Sequence, residues 1–215
     1  MPRSQLGTDE LLEAAADVVL AHGFGKTSMS DIARAAGVSK GLLYLRFTDK
    51  DELLRALLDR EFALTVRAVT AAVERDERGG LLSRVYLHTI RSWQQRPLLV
   101  SLYGARDATL TRFVQRADPE RYRRRVRAGR RYIDRMVEAG MLRTDLDGRL
   151  TDVLATFAFG LAANPVGSQV GELVEGMAGM VSLAVDAEVV DTAPGKEAFR
   201  QLAADLLSGV GGNDS

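Results

Sequence analysis

The chain has 215 residues, of which 46% are hydrophobic and 27% charged, a composition typical of a soluble globular protein. Its 29 basic and 29 acidic side chains balance, so the total charge indicates no particular partner. The absence of cysteine excludes disulfides and thiolate chemistry, and His22 and His88 lie too far apart in the sequence to form a helical metal pair.

Membrane insertion and export are not indicated by the sequence. No apolar run reaches the roughly 18 residues of a membrane span. The N-terminal segment also turns acidic where a signal peptide would have its apolar run. We therefore expect a cytoplasmic protein with no membrane partner, built as one large domain or two small ones.

Apolar residues recur with the period of an α-helix along almost the whole chain, and no alternating strand pattern persists. The sequence therefore predicts an all-α fold of nine or ten helices. Glycine and proline mark the breaks between helices, in "DERGG" at 76–80, before Pro97, at Pro119 and in "TAPGKE" at 192–197. A long fourth helix, which begins after Asp49, carries a regular stripe of leucine, phenylalanine and valine.

Two short helices are predicted ahead of that long helix, at about 30–36 and from Ser39 to about Arg46. Ser28 and Ser39 are placed to cap them, because a serine hydroxyl can accept a free N–H at a helix start. Gly37 can adopt the left-handed backbone that a sharp turn requires. Two short helices joined by such a turn are typical of a helix-turn-helix, whose second helix enters the major groove of DNA.

The stretch "TSMSDIARAAGVSKGLLYLRFTDKDELLRALL" resembles the DNA-binding segment of the TetR family of transcriptional regulators. The upstream stretch "LLEAAADVVLAHGFGKTSM" is similar to the first helix of that family and the step after it. The close match covers roughly residues 8–60. The resemblance implies an N-terminal three-helix DNA-binding domain at 1–49 and a C-terminal helical effector-binding and dimerisation domain at 50–215.

The resemblance also implies roles for individual residues in DNA binding. Tyr44 and Lys50 are expected to contact phosphates, and the start of the second helix is expected to contact another. Lys40 and Arg46 are expected to reach base edges, where guanine O6 and N7 are natural acceptors. The expected DNA-binding set is Ser28, Ser30, Ser39, Lys40, Leu42, Tyr44, Arg46 and Lys50.

Two positions in this set depart from the family pattern. Most relatives carry threonine where this chain has Leu42, and an aromatic residue or histidine where it has Arg46. Leu42 cannot donate to a phosphate, so one positioning contact is either missing or replaced by contact with a thymine methyl group. We expect Leu42 and Arg46 to determine the DNA preference that is particular to this chain.

Candidate effector-binding residues are the aromatic and polarisable side chains of the central helices. They are Phe62, His88, Trp93, Tyr103, Phe113, Tyr132, Met136 and Phe157. Such residues at helical spacing also fill the core of any helical bundle, so a core role is the competing interpretation. The sequence contains no catalytic constellation and no phosphate-cradling glycine loop, so we expect no enzyme activity, no cofactor and no metal.

The C-terminal half is unevenly charged. Residues 116–135 hold nine arginines against three acidic side chains, and residues 144–193 hold eight acidic side chains against one arginine. The arginines at 121–131 are interpreted as a solvated helix face whose stems cover apolar neighbours. The alternatives are a site for an anionic ligand and attraction between this face and acidic residues elsewhere. By resemblance, dimerisation is expected at roughly 147–164 and 196–209. The apolar segment 168–190 is either a further contributor to that interface or a buried helix within the chain.

Together these patterns predict a ligand-responsive transcriptional regulator: a homodimeric repressor that a small-molecule effector releases from a palindromic DNA operator. The alternatives are a helical small-molecule carrier or sequestering protein with a vestigial DNA-binding head, and a helical enzyme. Outward-facing Lys40 and Arg46 favour the regulator, and DNA affinity that falls with salt would distinguish it from a carrier. Activation rather than repression remains open at this level.

Overall fold

The computed structural model describes residues 6–103, 119–143, 153 and 170–208. Nine α-helices lie in these ranges, and they contain no β-strand apart from one isolated bridge. The helices are α1 (Thr8–His22), α2 (Met29–Ala36), α3 (Lys40–Arg46), α4 (Lys50–Arg75), α5 (Leu82–Gln94), α6 (Pro97–Tyr103), α7 (Pro119–Glu138), α8 (Val170–Ala184) and α9 (Ala193–Leu207). The all-α prediction is confirmed. No helix among the described residues is both long enough and apolar enough to cross a membrane.

The starts of the short N-terminal helices are fixed by their own side chains. Ser28 Oγ accepts from Asp31 N at 3.2 Å, and the Asp31 carboxylate accepts from Ser28 N at 3.1 Å. The Ser28 hydroxyl also donates to the Asp31 carboxylate, and this bond together with the one from Ser28 N holds the pKa of Asp31 below its ordinary value. Ser39 caps α3 by accepting from Leu42 N at 3.1 Å. The predicted caps are therefore confirmed, as is Gly37, whose left-handed backbone (φ 69°) ends α2.

A first hydrophobic core joins α1, α2 and α3 to the start of α4. It includes Leu11, Ile32, Leu43 and Leu54, all fully buried. Leu98 and Leu99, contributed by α6, complete the same core. The three N-terminal helices are thus packed against two elements that lie beyond the expected domain boundary at residue 49.

A second core joins the other half of α4 to α5, α7, α8 and α9. Val66, Val69 and Val73 of α4 pack there with residues such as Tyr132 and Met136 of α7. The first half of the long helix α4 therefore packs in one core and its second half in the other. A change in the position of α4 would alter the packing of both cores.

The start of α5 is capped from a distant part of the chain. Its N-cap residue, Leu81, has no side chain that can accept a hydrogen bond. Asp186, which follows α8, accepts from Ser83 N at 3.4 Å and from the Ser83 hydroxyl. Two backbone bonds hold Asp186 in place, from Arg143 N to Val185 O at 3.0 Å and from Ala187 N to Met141 O at 2.9 Å.

The segments expected to form the dimer differ in what they expose. Helix α9 turns Ala198, Phe199 and Ala203 into the second core, so the apolar face of the expected 196–209 segment is used within the protomer. Helix α8 instead leaves one face uncovered, and that face is formed by Leu173, Gly176, Met180 and Leu183. Apart from exposed Val153, the expected 147–164 segment lies outside the described residues.

The arginine-rich helix α7 is mostly paired with acidic side chains near its surface. Arg123 and Arg127 both contact Glu120, at 3.2 and 2.6 Å. Arg131 contacts Asp205 of α9 at 3.2 Å. Arg125 instead stacks its guanidinium 3.6 Å from the ring centroid of Phe62 on α4. These contacts fit the interpretation of α7 as a solvated face whose arginine stems cover apolar neighbours.

Candidate nucleic-acid interface

Helix α3 presents a polar face away from the first core. Leu43 is fully buried and defines the inner side of the helix. Lys40, Tyr44 and Arg46 are exposed, and Lys40 Nζ lies 5.7 Å from the centre of the Tyr44 ring. Among the described residues, neither Lys40 nor Arg46 forms an ion pair. Two cations and a phenol are therefore available on one short helix.

The serines of the expected set differ in the hydrogen-bond donors that they retain. The Ser28 hydroxyl donates to Asp31 Oδ2 at 2.6 Å, so its proton is already engaged. Ser39 uses its oxygen to cap α3 and keeps its hydroxyl proton for another acceptor. Ser30 is half-buried in the first turn of α2. Of the two capping serines, Ser39 is therefore the better donor to a phosphate.

Lys50, which is expected to contact a phosphate, also makes two hydrogen bonds inside the protein. Its ammonium donates to Phe24 O and to Thr27 O, each at 3.0 Å, and lies 4.2 Å from the centre of the Phe24 ring. Two of its three N–H donors are thus used inside the protein. The geometry gives Lys50 a structural task, because it fastens the turn between α1 and α2 to the start of α4.

Replacement of Lys50 by methionine should lower the free energy of unfolding by about 2–3 kcal/mol, because two charge-assisted hydrogen bonds are lost. In a chain of this size the melting temperature should fall by roughly 5–10 °C, measured by circular dichroism without DNA. Lys26→Met is the matched control, since Lys26 is an exposed lysine in the same turn. Equal melting temperatures for wild type and Lys50→Met would contradict the structural role and leave DNA contact as the only proposed role of Lys50.

The two unusual apolar residues of α3 lie in different environments. Leu42 is half-buried and packs against the first core, which leaves less of it to meet DNA than its sequence position suggested. Leu45 is 82% exposed. Leu45 is not among the residues predicted from the sequence, although its position on the helix indicates that it points outward. A helical projection would have found it, since two residues correspond to about 200° of rotation.

Apart from His88, the expected effector-binding residues whose side chains the structure describes belong to different hydrophobic cores. Phe62, Tyr132 and Met136 pack with the second core, whereas Trp93 packs against the first. Phe113, Phe157 and the side chain of Tyr103 lie outside the described residues.

His88 contacts Asp76 Oδ2 at 2.8 Å, at the connection between α4 and α5. Burial raises the pKa of Asp76, but hydrogen bonds from His88 and Arg84 outweigh it and hold the pKa below its ordinary value. His88 is thus engaged with a charged partner.

Two buried phenols in the C-terminal half have unused hydrogen-bonding groups. The hydroxyls of Tyr86 and Tyr132 are buried, and the part of the chain that the structure describes offers neither of them a partner. Burial raises the pKa of Tyr86 to about 12 and also raises that of Tyr132, so both hydroxyls keep their protons at neutral pH. Tyr86 was not among the predicted residues, since the sequence alone does not show that a tyrosine lacks a partner.

The N-terminal region matches the family model described as bacterial regulatory proteins, tetR family, over residues 11–57. The transcriptional repressor KstR2 of Mycobacterium tuberculosis is 31% identical over 145 residues, covering 64% of this chain and 70% of that protein. The regulator TtgR of Pseudomonas putida is 42% identical over 50 residues, 23% of this chain and 24% of that protein. YvdT of Bacillus subtilis is 32% identical over 78 residues, 36% of this chain and 40% of that protein. The matches to TtgR and YvdT thus span less than half of those relatives.

Solved structures share the fold over most of the chain. The fatty acid degradation regulator FadR of Bacillus halodurans superposes with a TM-score of 0.64 at 20% identity, covering 83% of this chain and 96% of that one. SmeT, the repressor of a multidrug efflux pump of Stenotrophomonas maltophilia, gives 0.62 at 17% identity, with 86% and 92% covered. FadR of Bacillus subtilis, solved with stearoyl-CoA, gives 0.62 at 16% identity, with 81% and 97% covered. At these identities the likeness shows a common fold.

Proposed function

This chain belongs to the tetR family of bacterial regulatory proteins, and on that basis we propose that it is a repressor released from a palindromic operator by a small-molecule effector. The observation that carries the proposal is the outer face of α3, where Lys40, Tyr44 and Arg46 stand exposed beside the left-handed turn at Gly37. A carrier protein would have no use for such a face. The alternative of a carrier with a vestigial head is therefore not favoured.

The chemistry of α3 divides between positioning on DNA and reading its sequence. Tyr44 and Ser39 carry hydroxyls that can donate to phosphate oxygens, which positions the helix without reading sequence. Arg46 carries a planar guanidinium that can donate to guanine O6 and N7 together. Arg46 is exposed and forms no ion pair within the described residues, so its guanidinium is available to contact a base. Arg46 is the proposed source of guanine preference.

The effector is proposed to bind in the C-terminal half, close to the buried hydroxyls of Tyr86 and Tyr132. An unpartnered buried hydroxyl costs about 1–3 kcal/mol, which an acceptor on a ligand would recover. Among structural neighbours, FadR of Bacillus subtilis was solved with stearoyl-CoA and SmeT with triclosan. By analogy with these two proteins, the proposed effector is largely apolar and carries a hydrogen-bond acceptor.

Communication between effector and DNA is proposed to run through α4. Glu61 of α4 is buried. Its Oε1 lies 3.3 Å from Arg60 Nη1, and its Oε2 lies 3.7 Å from Nη1 of Arg96, the residue before α6. Arg60 also reaches Asp9 of α1 at 3.5 Å. An effector that prefers one position of α4 would thus also shift the N-terminal DNA-binding helices. Coupling free energies between two such binding sites are usually about 1–3 kcal/mol.

The homodimer is proposed to form through the uncovered face of α8. Leu173, Met180 and Leu183 lie on one side of this helix, and Gly176 among them leaves room for a close neighbour. A second copy related by a two-fold axis would cover this face in both protomers. The two copies of α3 would then address half-sites about 34 Å apart, or a multiple of that distance.

DNA captured by the purified protein from random fragments should contain an inverted repeat, and affinity for it should fall steeply with salt. Arg46→Ala should weaken binding by roughly 5- to 150-fold and relax the preference at one position of each half-site. Tyr44→Phe should weaken binding to all sequences alike. Fluorescence anisotropy at several salt concentrations measures each effect.

Arg67→Ala serves as the control, because Arg67 is an exposed arginine in the middle of α4. Captured DNA without symmetry, or affinity that does not respond to salt, would support the carrier instead. Equal losses on specific and random DNA for Arg46→Ala, or a loss confined to specific DNA for Tyr44→Phe, would refute the assigned roles.

A further inference from the structure

The centre of the outer face of α3 is formed by Gly41 and Leu45. An α-helix turns about 100° per residue, and fully buried Leu43 marks the direction of the core. Gly41 precedes Leu43 by two residues and Leu45 follows it by two, so both point almost directly away from the core. Being four residues apart, they lie one above the other on the helix surface. Tyr44 and half-buried Leu42 lie about 80° to either side of this centre.

The fold itself does not require glycine at position 41. Gly41 is not among the described glycines with positive φ, and a Cβ added there would meet only Ser39 Oγ, at 3.9 Å. In the first turn of α3 glycine gains no packing and loses more backbone freedom than alanine would. Its presence at the most outward point of α3 is explained if another molecule approaches the helix backbone closely there.

Leu45 is the one strongly exposed apolar side chain among the described residues of α3. It stands one helical turn beyond Gly41, beside the exposed phenol of Tyr44. In the major groove of DNA, the apolar group that a base pair presents is the 5-methyl group of thymine. Leu45 would lose contact with water by packing against that methyl group.

We propose that Gly41 and Leu45 together read a thymine, with Gly41 allowing the backbone of α3 to approach the base edges and Leu45 covering the 5-methyl group. The inference rests on the proposed function, since it needs α3 to enter the major groove. It moves the thymine contact from half-buried Leu42 to Leu45. It also gives this chain an apolar component of specificity that is separate from the guanine contact proposed for Arg46.

The thymine contact is tested by replacing each thymine of the captured operator with deoxyuridine, which removes only the methyl group. At one position in each half-site, wild type should lose affinity by about fourfold, the factor for one buried methyl group. Leu45→Ala should bind the thymine and deoxyuridine operators equally at that position. Val190→Ala, a change at an apolar residue that is 98% exposed elsewhere, should retain the full discrimination of wild type.

A wild-type protein that binds DNA but discriminates at no thymine, or a Leu45→Ala variant that discriminates as wild type does, would overturn the inference alone. A protein that captures no DNA would overturn the proposed function as well. The two failures are therefore distinguishable from the same set of titrations.

The close approach at Gly41 is tested by Gly41→Ala. This variant should melt at a higher temperature than wild type, because alanine favours the helix, and yet bind the operator at least tenfold more weakly. Gly171→Ala in α8 is the matched control, since Gly171 is also open to added atoms and should leave DNA affinity unchanged. Undiminished operator affinity in Gly41→Ala would show that no close approach occurs there.

Discussion

Replacement of Asp186 by alanine should lower the free energy of unfolding by about 2–4 kcal/mol, because it leaves the start of α5 uncapped in a buried setting. Asp186 accepts from Ser83 N and from the Ser83 hydroxyl, and Leu81 offers no cap in its place. Thermal unfolding followed by circular dichroism should show a melting temperature reduced by roughly 5–15 °C. Glu188→Ala, which removes an exposed carboxylate two residues away, should change stability little.

The pH dependence of this contact has a defined sign. Burial raises the pKa of Asp186 above the ordinary value of 3.8, despite its hydrogen bonds from Ser83. The folded state therefore holds the proton more tightly than the unfolded state, and the stability that Asp186 contributes is complete below pH 3.8 and declines as pH rises through the folded pKa. The stability of wild type relative to Asp186→Asn should thus shrink as pH rises from about 4. A difference that grows with pH would contradict the raised pKa.

The double variant Met180→Glu, Leu183→Glu should convert the protein to a monomer, because two carboxylates would enter the proposed apolar contact between copies of α8. Both residues are exposed in the protomer, so folding should be preserved. A monomer carries only one copy of α3, so binding to the palindromic operator should weaken by roughly 10²- to 10⁴-fold. Light scattering and anisotropy measure the mass and the affinity.

Val190→Glu introduces the same charge at another exposed apolar residue, and it should remain dimeric with unchanged DNA affinity. If the double variant stays a dimer, the interface lies elsewhere, and the segment 147–164 becomes the first place to search. A monomer that still binds the whole palindrome tightly would argue against two linked heads.

The features that the sequence predicted well are those decided by neighbouring residues. Ser28, Gly37 and Ser39 act on atoms within a few positions of themselves, so their roles as caps and turn follow from residue type and spacing. The helical period likewise predicted nine or ten helices, and the described residues contain nine. Local rules were sufficient wherever the partner atoms lay within one turn.

Features that depend on distant partners could not be predicted from the sequence. Lys50 donates to carbonyls 23 and 26 residues away, and Asp186 caps a helix 103 residues earlier. No spacing rule connects such positions, because the packing of whole helices brings them together. The same limit applies to the effector residues, since being aromatic does not reveal which core a side chain joins. Leu45 is different, because its outward position followed from the helix geometry and was overlooked.

The packing of Leu98 and Leu99 against the N-terminal helices affects whether those helices can be transferred to another regulator. A fragment that ended at residue 49 would lack both these leucines and the leucines of α4 that close the same core. We therefore expect that α1–α3 do not fold independently. They should melt together with the rest of the chain in one transition. A chimaera that combines these helices with another regulator would keep its stability only if the contacting faces of α4 and α6 travelled with them.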